Sequence, residues 1–458
     1  MAFAAVFAVV WPALFGVRPR RGIASGLVFV ALIGHFRVEG FRWQMLPLYL
    51  VSVGLIIGDV VFLDRHLEWS NRVARGVFGL AGLIAVSALP LILPVPELPL
   101  PSGQETIGTV TIEVIDRGRD EIYGPTPGVP RDLVVQVWYP AVADAAADPE
   151  PIYPNWDIMG PALSENIGLP GWFLNHLEHV ESHTYQSLPI SGGTFPVILY
   201  SHGWSGYRSI ALNQIETLVS NGYMVIAPDH TYGAIVTTFD DGSVVPIDRN
   251  ALPEEGSVSQ EDYDEAASAL VGVFAADLVS ILEALELGST GPFGALAESA
   301  DLTRIGAYGH STGGGAAVTL CLTDERCDAV LGMDPWVEPL PNRVLAQSAV
   351  KPAMYLRSVE WAEKTNDAVL RGLAERAENV TYWLGIDGTA HNDFVMTPLL
   401  SPLADEFGLK GSIPAGRILP IVNQYLLGFF DVFLLGTGSA SIDTVTFDEV
   451  SLEILGTG

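Results

Sequence analysis

The sequence predicts an α/β fold, a mostly parallel, doubly wound sheet, preceded by an α-helical transmembrane segment. Three observations lead there. Apolar runs crowd the first hundred residues, the charge balance reverses near residue 100, and from residue 105 short β-rich runs alternate with helical stretches. Residues 1–100 carry eight Arg against five acidic residues, whereas the remaining 358 carry 15 basic against 48 acidic, in a chain of 458 residues with net charge −30. Length alone exceeds one ordinary domain. The expected units are a membrane segment over 1–100 and an α/β domain over 101–458, with 141–195 as an insertion.

The apolar runs cover 1–17, 22–36, 45–63 and 76–95. Spanning a bilayer takes about 20 apolar residues, with about 17 as the lower limit. The third and fourth runs meet that length, the first is borderline and the second is short. No positive charge precedes the first run, which argues against a cleaved signal peptide. Arg18, Arg20 and Arg21 follow the first run, Arg37 and Arg42 the second, and Arg65, Arg72 and Arg75 the third; no further Lys or Arg occurs before Arg117. The positive-inside rule then puts the first and third loops in the cytoplasm and everything after residue 100 outside. The expectation is an integral protein of the cell membrane with an extracytoplasmic domain. Asp59 lies near the inner end of its run, within reach of water, and receives no transport role.

The acidic C-terminal part lacks the basic footprint that nucleic acid requires. It also disfavours adsorption to anionic lipid headgroups. A well-solvated surface accounts for it.

"VTIEVID" (110–116) and "LVVQVWYP" (133–140) read as antiparallel opening strands. "FPVILYSHG" (195–203), "YMVIAPDH" (223–230), "RIGAYGHS" (304–311), "AVLGMD" (329–334), "PAMYLRS" (352–358) and "VTYWLGI" (380–386) follow. Their near-continuous apolar character suits strands covered on both faces. Helical stretches at 209–221, 262–287, 312–323, 363–378 and 416–436 separate or follow them, the alternation of one doubly wound domain. In the insertion, "GWFLNHLEHV" (171–180) reads as a helix that packs Trp172, Phe173 and Leu177 over the mouth of the site as a cap.

Ser311 stands in "AYGHSTGGG", where the strand "RIGAYG" passes directly into the helix "TGGGAAVTLC". A G-x-S-x-G serine on a strand-to-helix turn is a nucleophile elbow, with glycines where a Cβ would clash. The G-K-[ST] of a phosphate-binding loop is absent. In α/β-hydrolases the acid and then the histidine follow the serine in chain order. After Ser311 the chain holds one histidine, His391 in "GIDGTAHNDF", the expected general base and acid. Asp334, at the end of "AVLGMD", is the favoured carboxylate; Glu360, Asp367 and Asp387 are the alternatives. The oxyanion donors should be the N–H of Thr312 and that of Trp204 in "SHGWSG". His202, His310, Trp336 and Phe394 are placed around the substrate pocket.

No metal or organic cofactor is required by this chemistry. His176, His179 and His183, with Glu178 and Glu181, match no tetrahedral ligand spacing. Cys321 and Cys327 in "CLTDERC" either close a small disulfide loop after a helix or stand as two buried thiols, and the residues leave both readings open.

The stretches "RDLVVQVWYP", "FPVILYSHGWSGYRS", "NGYMVIAPDH", "AYGHSTGGG", "GMDPW" and "GTAHNDF" occur in an order and spacing that resembles platelet-activating factor acetylhydrolase-like esterases, over roughly residues 108–435. The resemblance implies an acid just after the strand that follows the nucleophile, so Asp334 over Glu360. It also implies an oxyanion donor just after S-H-G, at Trp204. Two features depart from it: the membrane segment, and a tryptophan at 204 where a smaller apolar residue is usual, which bears on acyl or alcohol preference. The resulting expectation is a serine carboxylic-ester hydrolase acting on short-acyl or lipid esters through an acyl-enzyme. The alternatives are a polymer- or lactone-ester hydrolase of cutinase or dienelactone-hydrolase type on the same machinery, and a catalytically idle membrane sensor.

Overall fold

The computed structural model describes residues 5–6, 22–61, 69–362, 364–437, 442 and 446–456. Apart from residues 5–6, the first apolar run lies outside the described residues, as do Arg18, Arg20, Arg21 and Arg65 and the side chains of Asp59, Arg72 and Arg75. The chain divides into two compact units, one taking in Met1–Pro96 with Asn175–His179 and Leu400–Leu403, the other the remainder.

Among the described residues, three helices dominate the first unit: α1 (Ile23–Val38), α2 (Leu46–Val61) and α3 (Trp69–Ile92). α1 and α2 have 16 residues each. At about 1.5 Å per residue that is about 24 Å, short of a hydrocarbon core of about 30 Å. Leu48 of α2 and Leu83 of α3 form a small core with Ala5. The His35 ring ties α1 to α2 through the Tyr49 hydroxyl at 2.7 Å. Among the described residues, the helix long and apolar enough to cross a membrane is Gln260–Glu286, most of which is buried inside the second unit. A buried core helix needs the same apolar composition as a spanning one.

The second unit is built on an 11-stranded sheet. Its strands are β1 (Thr106–Asp120), β2 (Pro130–Ala141), β3 (Pro149–Pro151), β4 (Glu181–Gln186), β5 (Phe195–Ser201), β6 (Met224–Asp229), β9 (Ala300–His310), β10 (Ala329–Met333), β11 (Ala353–Ser358), β12 (Thr381–Ile386) and β13 (Val450–Leu455). A separate hairpin pairs β7 (Val236–Thr238) with β8 (Val244–Pro246). The order across the large sheet is β13-β12-β11-β10-β9-β5-β6-β2-β1-β4-β3. From β6 to β12 every neighbouring pair is parallel. β2 joins β1 and β6 antiparallel, and β13 closes the opposite edge antiparallel to β12.

The helices that matter for the site are α4 (Trp156–Asn166), α5 (Leu212–Ser220), α6 (Gln260–Glu286), α7 (Thr312–Thr323), α8 (Thr365–Glu375) and α9 (Ala415–Phe433). α6 and α7 bury Leu270, Phe274, Leu278, Ala316 and Leu320 in one continuous core with Val135, Leu199 and Ile226 of the strands. Most predicted elements reappear with ends shifted by a few residues. The expected helix over 171–180 does not form: a turn and the short 3₁₀ segment Asn175–His179 stand there, with Trp172 exposed, and that segment groups with the first unit. The same insertion supplies β3 and β4, which extend the β1 edge of the sheet.

One buried polar cluster stitches the sheet to α6. Arg131 on β2 pairs with Glu121 and lies 2.6 Å from Asp277 Oδ2 on α6. All three are almost fully buried. Such charges are tolerated inside only when paired, and removing one partner strands the other.

Candidate active site

β9 ends at His310 and α7 begins at Thr312, so the chain reverses at Ser311 in a single residue. Ser311 takes φ 57° and ψ −123°, a conformation that glycine favours and other residues hold only under constraint. The surroundings supply the constraint. Ser311 N–H donates to the Met333 carbonyl at 3.0 Å, and its own carbonyl accepts from Trp336 N–H at 2.9 Å and Gly315 N–H at 3.0 Å. A Cβ on Gly309 would collide with the Gly313 backbone, and one on Gly313 would collide with the Ser201 and His202 carbonyls. Glycine at 309 and 313 is therefore a steric requirement of the elbow.

Asp334 follows β10, the strand beside β9, and His391 opens a short 3₁₀ turn after β12. The His391 Nδ1 lies 3.0 Å from Asp334 Oδ2. Asp334 also accepts from Ser358 N–H at 2.8 Å and Ser358 Oγ–H at 2.6 Å. Asp334 itself holds φ 42°, a second strained residue at the same sheet edge. Burial favours the neutral form of both ring and carboxyl: it lowers His391 to about 3 and raises Asp334 to about 6, the latter opposed by the two Ser358 hydrogen bonds. The imidazole thus stands unprotonated, as a general base must.

The other acids are engaged elsewhere. Glu360 accepts the backbone N–H of His391 at 2.8 Å, Asp367 pairs with Arg357 at 2.5 Å, and Asp387 is exposed with its N–H on the Glu449 carbonyl. Ser358 carries no motif signal, since serine is common and its partner lies 24 residues back.

The loop after β5 faces the elbow. A Cβ added to Gly203 would sit 3.1 Å from Ser311 Cβ, so the Gly203–Trp204 peptide passes beside the serine. His202 accepts the His230 backbone N–H on Nε2 at 3.2 Å, which puts the ring proton on Nδ1, 2.7 Å from the Gly203 carbonyl. Gly206 N–H reaches the same carbonyl at 2.9 Å. In a trans peptide the C=O and N–H point oppositely, so clamping the Gly203 oxygen also aims the Trp204 N–H. Among the described residues neither Trp204 N–H nor Thr312 N–H meets a protein acceptor. Behind the loop, Ser201 Oγ lies 2.8 Å from His230 Nε2, and His230 Nδ1 lies 2.9 Å from Asp277 Oδ2. Phe274 stacks on the His230 ring at 3.8 Å.

His202 and Phe394, placed around the substrate pocket from sequence, are both fully buried. His310 is 5% exposed and its ring lies 4.3 Å from that of His391. Trp336 is half-buried against the core. A disulfide joins Cys321, in the last turn of α7, to Cys327 just beyond it. His183 Nδ1 lies 2.8 Å from Glu216, and among the described residues no three His, Cys, Asp or Glu side chains converge as a metal site.

A family model described as platelet-activating factor acetylhydrolase, isoform II, matches residues 128–435, which takes in every residue of this constellation. The chain belongs to that family. Platelet-activating factor acetylhydrolases of Cavia porcellus and Bos taurus are 22% and 24% identical to it, each over 53% of this chain and 58% of their own length. A probable 1-alkyl-2-acetylglycerophosphocholine esterase of Arthroderma benhamiae is 26% identical over 53% of this chain and 61% of its own. The chain thus spans about three-fifths of the length of these relatives. Among solved structures, a ferulic acid esterase from Streptomyces cinnamoneus superposes with a TM-score of 0.62 at 24% identity, over 78% of this chain and 99% of that one. That likeness shows a shared fold.

Proposed function

We propose that this family member is a serine carboxylic-ester hydrolase that cleaves short-acyl or lipid esters through an acyl-enzyme. The observation that carries the reading is the Asp334–His391 hydrogen bond at the sheet edge where Ser311 is held on its strained turn. In this reading Ser311 Oγ attacks the ester carbonyl while His391 takes its proton. Asp334 keeps the Nδ1 proton facing itself and stabilises the imidazolium as it forms. The unpaired Trp204 and Thr312 N–H groups receive the charge on the tetrahedral oxygen. The imidazolium then protonates the leaving alcohol, and water repeats the sequence on the acyl-enzyme. The names of the relatives, an acetylhydrolase and an esterase, support an ester as the substrate class.

The first unit is proposed as a membrane anchor that leaves the hydrolase domain on the extracytoplasmic side. Phe29, Val30, Leu50, Phe78 and Ile84 on its helices are each more than half exposed, a surface suited to lipid. Labelling intact cells with a membrane-impermeant fluorophosphonate tests chemistry and sidedness together. Wild type should label and Ser311→Ala should not. Labelling that survives in Ser311→Ala overturns the nucleophile assignment, and labelling that requires lysis overturns the orientation.

A further inference from the structure

His391 is gripped on both faces. On one, the indole of Trp361 stacks flat against the imidazole, with ring centroids 4.2 Å apart and planes 3° from parallel. On the other lies His310, at 4.3 Å and 35°. No ring contact joins His310 and Trp361 among the described residues, as expected for opposite faces. His310 Nε2 is 2.9 Å from the His391 carbonyl; because a carbonyl only accepts, that nitrogen carries the His310 proton. His310 is held neutral by its burial, so it brings no positive charge to the ring it packs on.

Trp361 is itself fixed to the charge-relay side of the site. Its backbone N–H donates to Ser358 Oγ at 3.2 Å, and Ser358 Oγ–H donates to Asp334. The groups facing His391 are Asp334 from the end of β10, His310 from β9, and Glu360 and Lys364 from the segment after β11. On its own turn stands Asp393, which accepts from Ala390 N–H. Lys364 lies 5.1 Å from the Trp361 ring centroid and 3.5 Å from Glu360, so its charge is partly balanced before it reaches the histidine.

A neutral imidazole gains little from an aromatic face beyond packing. An imidazolium gains electrostatically, because the ring quadrupole presents negative charge to it. We propose, on the basis of the ester-hydrolase reading above, that Trp361 is a positioning residue that fixes the plane of the His391 ring against Asp334 and stabilises its protonated form during turnover. The proton is the one that leaves Ser311 Oγ; no additional reactant enters.

The test uses the purified full-length protein and a chromogenic acetate ester, with the pH profiles of kcat and kcat/KM. Trp361→Leu should lower kcat by about 3- to 30-fold, the range expected for a cation–π contact. It should leave KM nearly unchanged and move the acidic limb of the profile to lower pH. Trp361→Phe, which keeps an aromatic face, should recover most of kcat. Should the leucine variant not fold, biosynthetic fluorotryptophan supplies the same readout without a change of shape, since fluorine withdraws charge from the ring face. It should lower kcat in wild type but not in Trp361→Phe. Unchanged kcat and acidic limb in Trp361→Leu, or a change in KM alone, overturns the proposal. Ser311→Ala runs alongside. If that variant is inactive while Trp361→Leu is fully active, the ester-hydrolase reading stands and the role of Trp361 falls. If Ser311→Ala hydrolyses the ester, both fall.

Discussion

Replacing Ser311 by glycine should stabilise the protein while abolishing its chemistry. Ser311 holds φ 57° and ψ −123°, and a side chain kept in such a region stores about 1–3 kcal/mol. At an ordinary position Gly is less stable than Ala by about 0.5–1 kcal/mol, because it releases more freedom to the unfolded chain. At 311 the strain relieved exceeds that loss. Ser311→Gly is therefore expected to be more stable than Ser311→Ala by about 1 kcal/mol, although both lack the hydroxyl. Unfolding entropy of about 2 cal/mol/K per residue converts this to a rise of on the order of 1–2 °C in Tm for a domain of this size. Differential scanning calorimetry or a urea midpoint on the two purified variants reads the difference directly. A glycine variant that melts below the alanine variant would refute the account, because it would mean that the elbow is not strained.

Asp334→Asn is expected to lower kcat by about 10⁴-fold with little change in KM, measured with the same chromogenic ester. Ser358 N–H keeps the amide oxygen, so the NH₂ group faces His391 Nδ1 and favours the tautomer that cannot accept the serine proton. Acid should destabilise the protein well above the usual carboxylate range. His310 is lowered by burial from 6.5 to about 3, so the unfolded state binds its proton first. Its contribution is complete above about pH 6.5 and is lost as pH falls toward 3. His391, His202 and His230 are lowered by burial as well. The urea midpoint should fall steadily from pH 7 to pH 4. His310→Gln should make that fall shallower, and a midpoint flat over this range would contradict the buried neutral histidines.

The strand-to-helix elbow at Ser311 was legible because its signals are local. A strand, one serine in G-x-S-x-G and a helix are contiguous, although the clash that demands glycine at 313 comes from the Ser201 and His202 carbonyls on the neighbouring strand and its loop. The histidine was legible by position in the chain, since nothing after Ser311 competes with His391. The parallel strands could be read because each is covered on both faces, which leaves an apolar run with no need of a partner to identify it. What the sequence withheld is whatever depends on strand order. β3 and β4 are short edge strands whose polar residues carry no alternation, and they exist only because β1 offers an open edge. β13 likewise forms against β12, nearly 70 residues back in the chain. Four carboxylates could have faced His391; the placement of β10 beside β9, together with the Ser358 hydrogen bonds, brings Asp334 to its ring and leaves Glu360 on its backbone. Trp361 against His391, and Arg131 against Asp277, are partnerships between distant residues that no spacing rule announces. Local sterics write turns and periodicities into the sequence, whereas contacts across a sheet are decided by which strands become neighbours, and that follows only from folding the whole chain.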